Sequence, residues 1–134
     1  MRTYNVFISH SWSYGKDYND LVDILHKASF FDFKNYSVPK DDPIHSADNT
    51  TELENAIEAK IKPCSVIIIM AGKYSTYSKW INREIDIANR LEKPIVAIRP
   101  WASLQASQIV KDNADEIVGW NGPSITKAIK NNSI

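Results

Sequence analysis

The sequence predicts an α/β fold in which helices cover both faces of a five-stranded parallel sheet. Short apolar runs alternate along the chain with segments whose apolar residues recur at helical spacing. One run, Cys64 to Ala71, is almost continuously apolar and β-branched, which is typical of a central parallel strand buried on both faces. Parallel neighbours need crossover connections, and the helical segments between the runs supply them.

The first half of the chain contains two strand and helix pairs. Tyr4 to Ser9 is a short apolar run that predicts the first strand, and the helical spacing over Asp17 to Ser29 predicts the first helix. A weaker strand is predicted at Asn35 to Val38. It ends there because Pro39 cannot donate a hydrogen bond to a neighbouring strand. After a polar loop, apolar residues at helical spacing predict a second helix. They are Leu53, Ile57 and Ile61.

The second half repeats this alternation after the central strand. A helix is predicted at residues 78–93, a strand at 94–98, a short helix at 102–112 and a last strand at 116–118. The turn from Gly119 to Pro123 then leads into a terminal helix, because proline is favoured at the first helical position. Its inward side is predicted to carry Ile125, Ala128 and Ile129.

Five strands joined in this way predict a flavodoxin-like three-layer fold with the strand order 2-1-3-4-5. We expect a single domain over residues 1–134. In such sheets the ligand crevice lies outside the carboxyl ends of strands 1 and 3. The loop after the first strand and the loop at 72–77 therefore meet at the predicted binding site.

Composition narrows the class of function. Sixteen basic and sixteen acidic residues give zero formal charge, so no overall positive field attracts nucleic acid or an anionic membrane. The longest wholly apolar run is far shorter than the roughly 20 residues that span a bilayer. The single cysteine, Cys64, excludes an internal disulfide and is expected to pack in the core. We expect a cytoplasmic protein.

Several familiar catalytic and binding motifs are absent from the sequence. Ile67 and Tyr74 stand where a phosphate loop around Gly72-Lys73 would need a glycine and a hydroxyl residue. The histidines are scattered and lack zinc-ligand spacing, so no metal site is predicted. Ser9 has no flanking glycines, which argues against a serine hydrolase.

Glu84 is the most unusual residue, because it lies inside the apolar stripe of the helix predicted at 78–93. At roughly 100° per residue, the apolar side chains of this helix share one arc, and Glu84 falls near its middle. The arc contains Trp80, Ile81, Ile85, Ala88 and Leu91. Desolvating an unpaired carboxylate costs on the order of several kcal/mol, so Glu84 must be paired, protonated or at the rim of a pocket.

The residues alone leave alternatives open for this helix. Glu84 is either a functional group or a structural carboxylate, for example one paired with Arg99 or favoured by the helix dipole. Trp80 fills the core or forms a pocket wall. Ser78 is most simply an N-cap, and that role is compatible with a ligand contact.

Two loops are further candidates for the binding site. Ser9-His10-Ser11-Trp12 is rich in donors and lies beside the predicted crevice, so it could hold a phosphate or a ribose. The alternative is a polar loop with a hydrophobic anchor. Asp41-Asp42-Pro43 is either a solvated turn or a mobile flap.

Two motifs in this order resemble the signatures of Toll/interleukin-1 receptor (TIR) domains. They are Val6-Phe7-Ile8-Ser9-His10-Ser11 at the start and Ser78-x-Trp80-x-x-x-Glu84 on the helix after the third strand. The chain is more similar still to the short bacterial TIR-like proteins of the Thoeris antiphage type. Residues 93–101 and 114–121 also resemble that group, so the likeness spans almost the whole chain.

The resemblance implies an enzyme that cleaves the bond between nicotinamide and ribose in NAD+, which is a substrate and not a bound cofactor. It implies release of a cyclic or otherwise modified ADP-ribose signal that a separate effector senses. Carried over by position, Glu84 matches the catalytic glutamate, and Ser78 and Trp80 match its companions at the helix start. The residues Ile8 to Trp12 match the strand-1 side of the NAD+ pocket, and Asp41, in the loop after the second strand, is expected to bind the substrate as well.

The sequence also departs from the family pattern. The loop Lys40 to Ile44 lacks the arginine and the glycine that many TIR domains carry there, which bears on its conformation and on self-assembly. Two other functions stay open. One is a non-enzymatic TIR-like interaction module, and the other is a relative of the nucleoside deoxyribosyltransferases, which use a glutamate nucleophile on a similar sheet.

Overall fold

The structure is a computed structural model, and it describes residues 2–9, 16–36, 50–70, 79–99 and 108–134. Five strands form a parallel sheet. They are β1 (Thr3–Ile8), β2 (Asp32–Asn35), β3 (Val66–Met70), β4 (Ile95–Ile98) and β5 (Glu116–Val118). Five helices accompany them. They are α1 (Lys16–Lys27), α2 (Thr50–Ile61), α3 (Lys79–Arg90), α4 (Gln108–Asn113) and α5 (Gly122–Asn132).

The strand order is β2-β1-β3-β4-β5, and every neighbouring pair is parallel. This confirms the predicted flavodoxin-like sheet. β3 lies between β1 and β4, and its residues 66–69 are wholly buried. The β-branched run is therefore covered on both faces, as a central parallel strand requires.

Side chains of each strand alternate between two core clusters, one on each face of the sheet. Val6 and Ile8 point to the face covered by α1 and α5, where Leu21, Leu25 and Ile125 pack. Phe7 points to the other face, where residues from α2, α3 and α4 pack. They include Ile57, Ile61, Ile85, Ala88 and Val110. Two helical layers thus enclose the sheet.

The second strand begins three residues before its predicted start at Asn35. It occupies Asp32–Asn35, and the Tyr36 N–H adds a hydrogen bond to the Val6 carbonyl at 2.8 Å. The predicted residues 37 and 38 lie outside the described part of the chain. Phe33 pairs with Tyr4 of β1, and the Phe31 ring stacks at 5.5 Å from Tyr4. These aromatic contacts with β1 favour sheet pairing that begins before Asn35.

α3 ends three residues before its predicted end. Glu92 adopts a left-handed φ of 56°, and its N–H donates to the Asn89 carbonyl at 3.1 Å. The Lys93 N–H donates to the Ala88 carbonyl at 2.7 Å. These two bonds form a Schellman motif, which satisfies the last carbonyls and terminates the helix at Arg90.

The remaining predicted helices are found, with adjusted bounds. α4 is described only from Gln108, so the predicted residues 102–107 lie outside the described part of the chain. α5 begins as the turn predicts: the Asn121 side chain accepts a hydrogen bond from the Ser124 N–H at 3.0 Å, and Pro123 lies in the first turn. Across the described residues, every helix falls short of the length and apolar character needed to cross a membrane.

Candidate functional site

A buried pair of polar side chains lies at the carboxyl end of β1. Glu84 of α3 has no exposed surface, and Ser9, directly after β1, is 2% exposed. The Ser9 hydroxyl donates a hydrogen bond to Oε2 of Glu84. A hydroxyl that donates to an ionised carboxylate forms a charge-assisted hydrogen bond, which is stronger than one between neutral groups. The pair joins the end of a strand to a helix 75 residues later in the chain.

The backbone of β1 fixes the direction of Ser9. Its N–H donates to the Ile68 carbonyl of β3 at 2.8 Å, so the sheet pairing continues past Ile8. Because side chains alternate along a strand, Ser9 points to the same face as Phe7, which packs with Ile85 and Ala88 of α3. Ser9 therefore faces the helix that carries Glu84.

The amphipathic character of α3 fixes the direction of Glu84. Ile85 and Ala88 are buried against the sheet, whereas Asn82, Asp86 and Asn89 are exposed. This confirms the predicted helix register, with the carboxylate inside the apolar stripe. The packing of α3 against the sheet carries Glu84 into the interior, where water cannot solvate it.

The structure brings together only part of the predicted site. Ile8 is 1% exposed and packs on the face of the sheet covered by α1 and α5, so its side chain lies on the opposite face from α3 and Glu84. Trp80 lies within α3, but its side chain is not described. The other predicted site residues lie outside the described residues. They are His10, Ser11, Trp12, Asp41 and Ser78.

Arg99 follows β4 at the same edge of the sheet as Ser9. Its N–H donates to the Val118 carbonyl at 2.8 Å, and the Nε atom of its half-buried side chain is inaccessible to solvent. The sequence left open that Glu84 has a structural role in an ion pair with Arg99. That ion pair stays a prediction.

Cys64 lies at the opposite, amino-terminal edge of the sheet. It is buried in the core cluster beside α2, and its thiol donates to the Lys60 carbonyl at 3.3 Å. Burial raises the pKa of this thiol from 9.0 to about 12, although the positive charge of Lys93 opposes the change. The structure confirms that Cys64 packs in the core. Within the described residues, no cluster of histidine, cysteine and acidic side chains could hold a metal ion.

The family model of the Thoeris protein ThsB, TIR-like domain, matches residues 7–105. The chain belongs to this family. The matched range contains both Ser9 and Glu84, together with β3 at the centre of the sheet. Membership in a Thoeris TIR-like family supports a role in antiphage defence. No match was found among curated proteins.

Solved structures share the fold at low sequence identity. A conserved protein from Enterococcus faecalis V583 superposes with a TM-score of 0.63 at 12% identity, covering 97% of this chain and 99% of that one. The response regulator domain of Thermotoga maritima CheB gives a TM-score of 0.56 at 10% identity, covering 98% and 96%. Both support the flavodoxin-like architecture of this TIR-like chain and nothing more specific.

The partnership between Ser9 and Glu84 was not predicted from the sequence. Ser9 was expected on the nucleotide side of the pocket, with no connection to Glu84. The signal was present in the alternation of β1, because Ser9 has the same parity as Phe7 and not as Ile8. Only the sheet order, which places β1 next to β3, shows that this parity faces α3.

Proposed function

We propose that this TIR-like chain cleaves the bond between nicotinamide and ribose in NAD+, with Glu84 as the catalytic carboxylate. The observation that carries the proposal is the wholly buried Glu84 beside the carboxyl end of β1, in a chain of the Thoeris TIR-like family. In doubly wound sheets, this edge is where ligands bind. A buried carboxylate is costly, and such residues cluster at functional sites.

The reaction suits a carboxylate. Breaking the C1′–N1 bond gives the bonding electron pair to the pyridinium nitrogen and releases neutral nicotinamide, which needs no proton. The ribose carbon left behind resembles an oxocarbenium ion, and a nearby carboxylate stabilises its positive charge or binds the ribose hydroxyls. Water attack at C1′, with loss of a proton, gives ADP-ribose. Attack by a nucleophile of the same molecule gives a cyclic product.

The burial of Glu84 limits the access of a substrate to its carboxylate. A carboxylate with no exposed surface cannot touch a ribose unless neighbouring groups move. We propose that access to Glu84 requires a rearrangement triggered by infection or by self-assembly. The released nucleotide then acts on a separate effector in the cytoplasm, and the site uses no bound cofactor, nucleic acid or membrane.

The test compares nicotinamide release from NAD+ by the parent protein and by Glu84→Gln, which removes the charge and keeps the shape. Asp86→Asn is the matched control, because it makes the same change on the exposed face of the same helix. Each protein is assayed after purification and inside phage-infected cells, where a trigger is present. Release by the parent and by Asp86→Asn, but not by Glu84→Gln, is the expected outcome.

A non-enzymatic interaction module is the second candidate, because complete burial also suits a structural carboxylate. This alternative predicts no nicotinamide release under any condition. It also predicts that cells expressing Glu84→Gln keep full protection against phage, provided that the variant folds.

A further inference from the structure

We infer that Ser9 is a positioning residue, whose hydroxyl holds the Glu84 carboxylate in the orientation that the reaction requires. The inference rests on the proposed function and changes the part assigned to Ser9. The resemblance to TIR domains implies that Ser9 is among the residues that contact the nucleotide. The structure points its hydroxyl at the carboxylate, in a position almost closed to solvent.

Ser9 directly follows β1, an internal strand of the sheet. Its N–H donates to Ile68 of β3, and the preceding residues Phe7 and Ile8 are buried on opposite faces of the sheet. The backbone at Ser9 is therefore held by sheet pairing and by both core clusters. A hydroxyl on such a frame is limited to the few staggered positions that rotation about the Cα–Cβ bond allows.

The glutamate side chain of Glu84 is longer than that of an aspartate, so its carboxylate depends more on a hydrogen-bond donor to hold it in place. Its carboxylate is separated from the α3 backbone by three rotatable bonds, so helix packing alone does not fix the orientation of the oxygens. A hydrogen bond from a rigid hydroxyl to Oε2 selects one orientation. The same bond stabilises the ionised carboxylate inside the protein, since the hydroxyl replaces part of its lost hydration.

A positioning role has a kinetic signature that differs from a substrate contact. Ser9→Ala removes the donor, so we expect kcat for nicotinamide release to fall by about tenfold to a hundredfold, the loss typical of a hydrogen bond to a charged group. KM should stay within about twofold of the parent, because ground-state binding is unchanged. Ser9→Thr keeps the hydroxyl and should recover most of the lost kcat.

Ser65→Ala is the matched control. Ser65 is half-buried and precedes β3 at the opposite end of the sheet, where its N–H donates to the Asn5 carbonyl. The same loss of a hydroxyl there should leave both kcat and KM unchanged. Urea unfolding of every variant shows whether it is folded under assay conditions.

A double-mutant cycle on unfolding tests the contact without any activity. In the parent, Ser9→Ala should raise the unfolding equilibrium constant by about tenfold or more, because it breaks a buried charge-assisted bond. In a Glu84→Ala background the same change should have a much smaller effect. Equal effects in the two backgrounds would show that the hydroxyl and the carboxylate are not coupled.

The outcomes separate the two proposals. An unchanged kcat for Ser9→Ala, or a higher KM alone, overturns the positioning role while Glu84→Gln can still confirm the reaction. Equal turnover by the parent and Glu84→Gln overturns the proposed function instead, and so does a parent without turnover both purified and in infected cells. In either case the unfolding cycle still decides whether Ser9 holds Glu84.

Discussion

The register of α3 places Glu84 inside the protein, and substitutions at two adjacent residues test it. Ile85 is 2% exposed and packs in the core, whereas the next residue, Asp86, is exposed. We therefore expect opposite results from changing each to alanine. Ile85→Ala should destabilise the protein strongly, and Asp86→Ala should change the free energy of unfolding by less than about 0.5 kcal/mol.

The magnitude for Ile85→Ala follows from its burial. The change removes three buried carbons, which is worth about 2.4 kcal/mol of transfer free energy at about 0.8 kcal/mol per carbon. A residual cavity of about 40 Å³ adds about 1 kcal/mol, for a total near 3.4 kcal/mol. For a chain of this length, each kcal/mol lowers Tm by about 3–5 °C, so Tm should fall by roughly 10–17 °C.

Urea unfolding followed by circular dichroism measures both variants. The free energy of unfolding should decrease for Ile85→Ala with little change in the slope against urea. Two results would contradict this register: a loss below about 1 kcal/mol for Ile85→Ala, or a loss above about 1 kcal/mol for Asp86→Ala. Either would mean that α3 does not pack through this arc and that Glu84 is not held in the interior.

Two further predictions concern parts of the molecule away from the site. Asn121→Ala removes the cap of α5 and should cost about 1 kcal/mol in thermal unfolding, whereas Asn121→Asp keeps the acceptor and most of the stability. Cys64 should react slowly with a thiol reagent at pH 8 until urea unfolds the protein, because burial raises the pKa of its thiol to about 12. The thiol stays protonated to a higher pH in the folded state than in the unfolded chain. Its protonation therefore stabilises the fold below pH 9.0, and urea titrations should show this stability being lost as the pH rises from 9.0 towards 12.

Patterns that reflect burial made the sheet and the register of α3 predictable. The run at β3 is apolar because both of its faces are covered, and α3 is amphipathic because one of its faces is covered. The start of β2 was misplaced because β2 is a four-residue edge strand, whose position depends on ring contacts with β1. Local sequence carries little information about such a strand.

The place of Glu84 in the candidate site was predictable in the same way, but its bond to Ser9 was not. Glu84 stands out because a charge interrupts an apolar stripe, and that conflict is visible within one helix. Its bond to Ser9 joins residues 75 positions apart, so it depends on the strand order and on which face each strand presents to α3. Periodicity within one segment contains neither fact.

The proposed reaction requires the negative charge of Glu84, and a time course of nicotinamide release from NAD+ measures whether it does. The parent and Asp86→Asn should release nicotinamide at matching rates under the activating condition. Glu84→Gln should be slower by on the order of a hundredfold to a thousandfold, the loss expected when one electrostatic group is removed from a transition state. Release by a folded Glu84→Gln variant at the parent rate would show that the charge of Glu84 is not needed for the reaction.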